Sequence, residues 1–237
     1  MRFDAVGALW ADEGRTLLVA DLHLGYGWAQ RRRGELGPVV EGETRERLLR
    51  LVEAGRPERL VLVGDIVHAP RPAAEERAMI AQTLTALRDR TELVCVLGNH
   101  DRAFSTEFPE FPAVAEWRTS GVRVVHGDVL PTGPLEGVVT VVGHFHPAVR
   151  VKTASGASQK MAAFLEGRGL LVLPAFSDFS AGCDMRREMP EELRRWFGAS
   201  AVRAVVTDGK RLLELQIGRP KPRRKPEVPP WVRAQQG

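Results

Sequence analysis

The sequence predicts an α/β fold, a layered β-sandwich flanked by helices, with mixed sheets that are parallel in the first half and more antiparallel in the second. Two observations carry this. Short apolar runs at 17–20, 60–63 and 93–97 alternate with two helical stretches, the βαβαβ order that yields a parallel sheet. After His100 the pattern changes to apolar runs with few helices between them, at 121–125, 138–142, 169–173, 201–207 and 211–217.

In chain order, residues 3–20 read as a hairpin, "FDAVGALW" and "RTLLVA" joined by the turn "ADEG". In "EGETRERLLRLVEAG" the residues Leu48, Leu49 and Val52 recur at helical spacing, and Gly55 supplies a stop. "PRPAAEERAMIAQTLTALRDR" sets Met79, Ile80, Leu84 and Leu87 on one helical face. Loops are expected at 26–40 and 102–118. The second contains "AFSTEFPEFPAVAEW", whose Phe104, Phe108, Phe111 and Trp117 read as a satellite hydrophobic cluster covering the sheet. "PEELRRWF" is a short helix opened by Pro190, and "DGK" joins the last two runs as a hairpin. No internal repeat is evident.

A chain of 237 residues, 43% hydrophobic and 27% charged, suits one soluble domain with a sizeable core. No apolar run approaches the ~20 residues of a membrane span, so no membrane partner is expected. Asp4, Asp12 and Glu13 stand where a signal peptide would carry its apolar stretch, which predicts a cytoplasmic protein. Cys95 lies in an apolar run and Cys183 in a Gly-rich loop, so two reduced thiols are expected. The formal charge is +4, but "GRPKPRRKPEVPPWVRAQQG" alone holds six Lys or Arg and one Glu, or +5, leaving −1 for residues 1–217. The chain therefore divides into a near-neutral domain, 1–217, and a basic, Pro-rich, extended tail, 218–237. Such a tail suits phosphate backbones, or serves only as a solvated end.

The apolar runs stop at residues of one kind. "RTLLVADLHLG" ends in Asp21 and His23, "RLVLVGDIVH" in Asp65 and His68, and "ELVCVLGNHD" in Asn99, His100 and Asp101. "GVRVVHGD" ends in His126 and "GVVTVVGHFHP" in His144 and His146, so all six histidines fall in these segments. Ligand sites in open α/β sheets lie outside the carboxyl ends of strands, and carboxylates and imidazoles are costly to bury without partners. Asp, Asn and His donors suit Mn²⁺, Fe or Zn²⁺ better than Ca²⁺ or Mg²⁺, and the absence of Cys argues against a structural zinc. Asp21, His23, Asp65, Asn99, His126, His144 and His146 are too many ligands for one ion. Two divalent ions ~3.5–4 Å apart, bridged by one carboxylate, would use that number and clamp an in-line displacement at phosphorus. Gly25, Gly64, Gly98, Gly127 and Gly143 flank the ligands, where the backbone must turn sharply or approach closely.

Taken together, "DLHLG", "GDIVH", "GNHD", "HGD" and "GHFHP" resemble the motif set of calcineurin-like metallophosphoesterases, over residues ~15–150. The resemblance implies that Asp21, His23 and His146 hold one metal ion, Asn99, His126 and His144 a second, and Asp65 bridges them. It implies Mn²⁺ first, with Fe or Zn²⁺ as alternatives. It also makes His100 the non-ligand histidine that contacts the phosphate and protonates the leaving group, with Asp101 orienting it. His68 matches no metal ligand of the family and is left as a residue that supports a metal ligand or contacts substrate, or as a plain loop residue. "DLHLG", "GDIVH" and the late "LLVLPAFSDFSAG" also resemble bacterial phosphoesterases encoded beside a DNA ligase, an exonuclease and a helicase. That narrower likeness implies a DNA-directed nuclease or phosphodiesterase, with Ser177, Asp178 and Ser180 near the site.

For the substrate, "YGWAQRRRGE" places Arg31, Arg32 and Arg33 together, with Trp28 close by, in a loop leaving the site. Charge on phosphates and stacking on a base would hold a polynucleotide there, although a charge run is as often a solvated face. The expectation is phosphodiester hydrolysis in nucleic acid, DNA favoured, with DNA-repair proteins and a second copy of the chain as further partners. A phosphomonoesterase of nucleotides or phosphoproteins is one alternative. A metal-retaining, non-catalytic scaffold in a DNA-repair complex is another. Comparing a diester with a monoester separates the enzyme readings, and metal retention without turnover would mark the scaffold.

Overall fold

A computed structural model describes residues 1–34, 41–152 and 156–218, so the basic tail from residue 219 onward lies outside the described residues, as does the end of the 26–40 segment. The chain begins with β1 (Arg2–Phe3), β2 (Leu9–Ala11), β3 (Thr16–Ala20), α1 (Tyr26–Arg32) and α2 (Glu41–Gly55). It continues through β4 (Arg59–Val63), α3 (Ala74–Arg88), β5 (Glu92–Val96), α4 (Phe104–Glu107) and β6 (Ala113–Val114). Next come β7 (Trp117–Thr119), β8 (Val122–Val124), β9 (Val139–Val142), β10 (Pro147–Lys152), β11 (Ser158–Gly167) and β12 (Leu170–Val172). Last are β13 (Cys183–Asp184), α5 (Glu191–Phe197), β14 (Val202–Thr207) and β15 (Leu212–Gly218).

The first sheet runs β1 to β6 in sequence order, antiparallel through β3 and parallel from β3 to β6. The second has the order β13-β10-β11-β12-β9-β8-β7, with β14 beside β11 and β15 beside β14. Within it β8, β9 and β12 are mutually parallel, while β11 pairs antiparallel with β10, β12 and β14.

Alternation along the strands sorts the apolar residues into layers. In β3, Leu17 and Val19 face the helices while Leu18 and Ala20 face the second sheet. All of them are buried, as an apolar run buried on both faces requires. The outer face packs on Leu48 and Val52 of α2 and on Ile80, Leu84 and Leu87 of α3. Between the sheets, Leu18, Val61, Val63 and Val96 meet Val124, Val141, Phe164 and Leu171. Beyond the second sheet, Val149, Leu165 and Val172 pack on Leu193, Trp196 and Phe197 of α5. The result is a helix–sheet–sheet–helix sandwich, the expected class.

Four local expectations differ. Residues 26–32 are a helix rather than a loop, and 102–118 holds α4, β6 and β7. Phe104, Phe108 and Phe111 belong to the main helix-side core and not to a satellite cluster, whereas Trp117 packs at the inter-sheet core. The β10–β11 hairpin has no counterpart in the sequence reading. Its residues 152 and 158–160 are Lys, Ser, Gln and Lys, so the described residues at its tip are polar, and the apolar run "MAAFL" of β11 stands without an apolar run of equal length in β10.

Candidate active site

Parallel order places the carboxyl ends of β3, β4 and β5 at one edge of the first sheet, and those of β8 and β9 at the facing edge of the second. The two halves are stitched directly: the His144 backbone N–H donates to both Asp21 carboxylate oxygens, at 3.1 and 3.0 Å. The chain leaves these strands in an unusual way. Asp21, His23, Asp65, His144 and His146 all have positive φ (56°, 46°, 44°, 65° and 42°), a region that side chains with a Cβ rarely occupy. Such strain persists where surrounding contacts over-determine it, as at functional sites. Two glycines make the packing possible. A Cβ on Gly64 would overlap the His126 ring, and one on Gly98 would overlap Asp65.

Three groups of candidate donors result, each with its atoms within 4.8 Å of one another: two clusters that contain carboxylates, Asp21–His23–His146 and Asp65–His126–His144, and an all-histidine group, His23–His68–His100. Asn99 joins the second: its Oδ1 lies 3.1 Å from His126 Nε2, which is itself 3.2 Å from His144 Nδ1. Asp65 stands between the two. Its Oδ1 is 3.4 Å from His126 Nε2, and its Oδ2 is 3.9 Å from His23 Nε2. In the first cluster His146 Nε2 is 3.5 Å from Asp21 Oδ1 yet has no hydrogen-bond partner, and His23 Nδ1 is likewise buried without one. Lone-pair atoms of imidazole, carboxylate and amide crowding a common point are an arrangement that divalent cations fit.

The electrostatics favour ligation. Burial pulls the His23 imidazole down to about 4, so it is neutral at physiological pH. Burial pushes the Asp65 carboxyl up, but the His126 hydrogen bond and charge and the His100 N–H outweigh it and hold the group at about 2. His126 loses basicity to burial and regains more from Asp65 and Asp21, ending above the usual histidine value. His144 is lowered by burial and by His126.

His100 lies across the cleft from these clusters, with Nε2 4.0 Å from Asp65 Oδ2. The structure differs from the expected Asp101–His100 pairing. Asp101 is buried and accepts backbone N–H bonds from Gly98, Ile66 and Val67, at 2.8, 3.2 and 3.0 Å. Burial pushes its carboxyl up to about 6 against those three donors. The ring of His100 is held instead by the His68 carbonyl oxygen, 2.7 Å from Nδ1. The His68 ring itself packs near those of His23, His100 and Tyr26, and burial and His100 lower its basicity.

The arginines separate. Arg32 binds the buried Glu76 at 2.7 Å and so fastens α1 to α3, a structural duty rather than a substrate contact. Arg31 lies over the Trp28 ring at 4.7 Å, and Arg33 caps the helix, near enough to lower the basicity of His68. Of the late loop, Ser180 Oγ is 2.6 Å from His146 Nδ1, while Asp178 turns away to Thr44 and Arg47 of α2. Two residues escaped the sequence reading. Tyr26 and Phe179 stack at 4.4 Å and, with His23, His100, His146 and Ser177, wall a cleft of about 350 Å³. The aromatic of the "YGW" segment that reaches this cleft is Tyr26, not Trp28.

Residues 14–165 match the family described as calcineurin-like phosphoesterase. Among solved structures, the nuclease MPE of Pseudomonas putida is 24% identical, with a TM-score of 0.63, covering 89% of this chain and 92% of that one. The phosphoesterase YfcE of E. coli is 16% identical, with a TM-score of 0.44, covering 86% of this chain and 99% of that one. No curated protein matches. Among the described residues, no helix is long and apolar enough to cross a membrane.

Proposed function

The chain belongs to the calcineurin-like phosphoesterases and hydrolyses phosphoric esters, and we propose that it does so with two divalent ions, on phosphodiesters of nucleic acid. The observation that carries this reading is Asp65, whose two carboxylate oxygens face different clusters. Asp21, His23 and His146 would hold one ion, Asn99, His126 and His144 the other, and Asp65 both. Mn²⁺ is the first choice, with Fe or Zn²⁺ behind it. Such ions, when bound, supply Lewis acidity to a phosphoryl oxygen and make a neighbouring water more acidic.

The chain's own residues do the rest. Ser180 fixes the His146 ring through Nδ1, leaving Nε2 directed at Asp21. The His68 carbonyl can only accept, so His100 Nδ1 carries the proton and Nε2 faces the cleft. A second proton on Nε2 is then placed to pass to the departing alkoxide oxygen. Asp101 pins the Gly98 and Ile66–Val67 backbones together, which sets His100 and Asp65 in register. Tyr26 and Phe179 offer a surface for a base, and Arg33, near enough to His68 to lower its basicity, a positive charge for its phosphates. DNA in a repair setting in the cytoplasm is the context we favour.

Metal-stripped protein resupplied with Mn²⁺ and given a phosphodiester and a phosphomonoester of the same leaving group tests this. The reading expects diester turnover that Asp65→Asn lowers by at least ~100-fold. Turnover of the monoester alone would replace it with a phosphatase.

A further inference from the structure

The cleft has neighbours beyond His146. Ser180 and Ala181 also wall a hollow of about 130 Å³, and Lys160, Ala162, Ala175 and Ser180 are shared between that hollow and a trough of about 400 Å³ that reaches Arg47, Asp178, Thr207 and Asp208. Ser180 borders all three spaces, His146 the first two and Lys160 the last two. The fold explains the opening. On β11, Phe164 is buried between the sheets, and Ala162 and Lys160 precede it on the same strand face. Ala162 is exposed and Lys160 half-buried, because β11 runs past the edge of the first sheet there. Ala148, Ala162, Ala175 and Gly182 keep the hollow's walls low.

Among the described residues that line this hollow, Lys160 carries the formal charge. Its Nζ donates to the Gly182 carbonyl at 2.8 Å, which fixes the ammonium and leaves two of its protons for a ligand. Gly182 abuts the site, since a Cβ there would lie 2.8 Å from the His146 carbonyl oxygen. Arg47, farther along, is already engaged by Asp178 and by the Phe176 carbonyl. We infer that Lys160 grips the phosphate next to the scissile one in a nucleic-acid strand, so that hollow and trough carry the strand away on the His146 side. This rests on the nucleic-acid reading above and adds to it a direction and a specificity-determining residue. A small phosphoester would end at the two clusters and leave Lys160 without an anion.

The test uses the Mn²⁺-loaded full chain with bis-p-nitrophenyl phosphate, a diester with no second phosphate, and a single-stranded oligonucleotide. Lys160→Ala should lose about tenfold more kcat/KM on the oligonucleotide than on the small diester. It should also flatten the log–log salt dependence of oligonucleotide cleavage by about 0.7, the contribution of one phosphate contact on a single strand. Lys160→Arg should restore both. Equal losses on the two substrates, or an unaltered salt slope, while the unmodified protein cleaves the oligonucleotide would overturn the inference alone. Cleavage of the small diester but not of the oligonucleotide by the unmodified protein would overturn the nucleic-acid reading and the inference with it.

Discussion

His126, 2% exposed and flanked by Asp65 and Asp21, keeps its proton to a higher pH than an ordinary histidine. A metal ion binds only the neutral ring, so proton and metal compete there. His23, pulled down to about 4, raises no such barrier near neutrality. Mn²⁺ affinity should therefore climb with pH, by about tenfold per unit below the His126 pKa, and level off above it. Competition with a calibrated chelator between pH 5.5 and 8.5 would measure this, and a flat profile would place His126 outside the metal set. Ser180 acts more remotely. Removing its hydroxyl in Ser180→Ala frees the His146 ring and should weaken metal binding ~10-fold by the same titration. Residues that close an apolar run announce themselves in the sequence, because Asp and His are out of place there. Ser180 is placed near the site only by the family likeness of "PAFSDFSAG", and its bond to His146, 34 positions away, leaves no local mark. The His68 carbonyl that holds His100 is backbone and leaves no mark on the sequence at all.

At the level of elements, α1 is the part most exposed to change. It is about two turns of helix, fastened by the pair between half-exposed Arg32 and fully buried Glu76, and Glu76 also takes the Ala73 N–H at the start of α3. Arg32→Ala should loosen α1 and with it the Tyr26 wall of the cleft. Amide hydrogen exchange across 26–32 should quicken while metal content holds, and unchanged exchange would show that other contacts anchor the helix. The segment carries little helical signal, with Gly25 before it, Gly27 inside it and Gly34 after it, and its bond to Glu76 and the Tyr26–Phe179 stack are both tertiary. β10 and β11 were hidden for a different reason. Strand signals come from burial on a face, and the end of β10 and the start of β11 are exposed or half-buried, with Gln159 and Lys160 lining an open trough.

Across the whole molecule, the site is the seam of a sandwich. Asp21, His23, Asp65 and Asn99 follow strands of the first sheet, and His126, His144 and His146 follow strands of the second. Phe164 lies fully buried in the layer between the sheets. Phe164→Ala should cost about 3–5 kcal/mol in denaturant unfolding, and a loss below ~1 kcal/mol would mean the sheets are held chiefly elsewhere. The order of runs and helices made the layered class legible, since βαβαβ admits few arrangements. The parallel set β8, β9 and β12 was not, because nothing local fixes which strand lies beside which. The most direct test of the central claim is to count and place the ions. In crystals grown with Mn²⁺, anomalous scattering should show two peaks per chain, ~3.5–4 Å apart on either side of the Asp65 carboxylate. A single peak, or two that Asp65 does not separate, would contradict it.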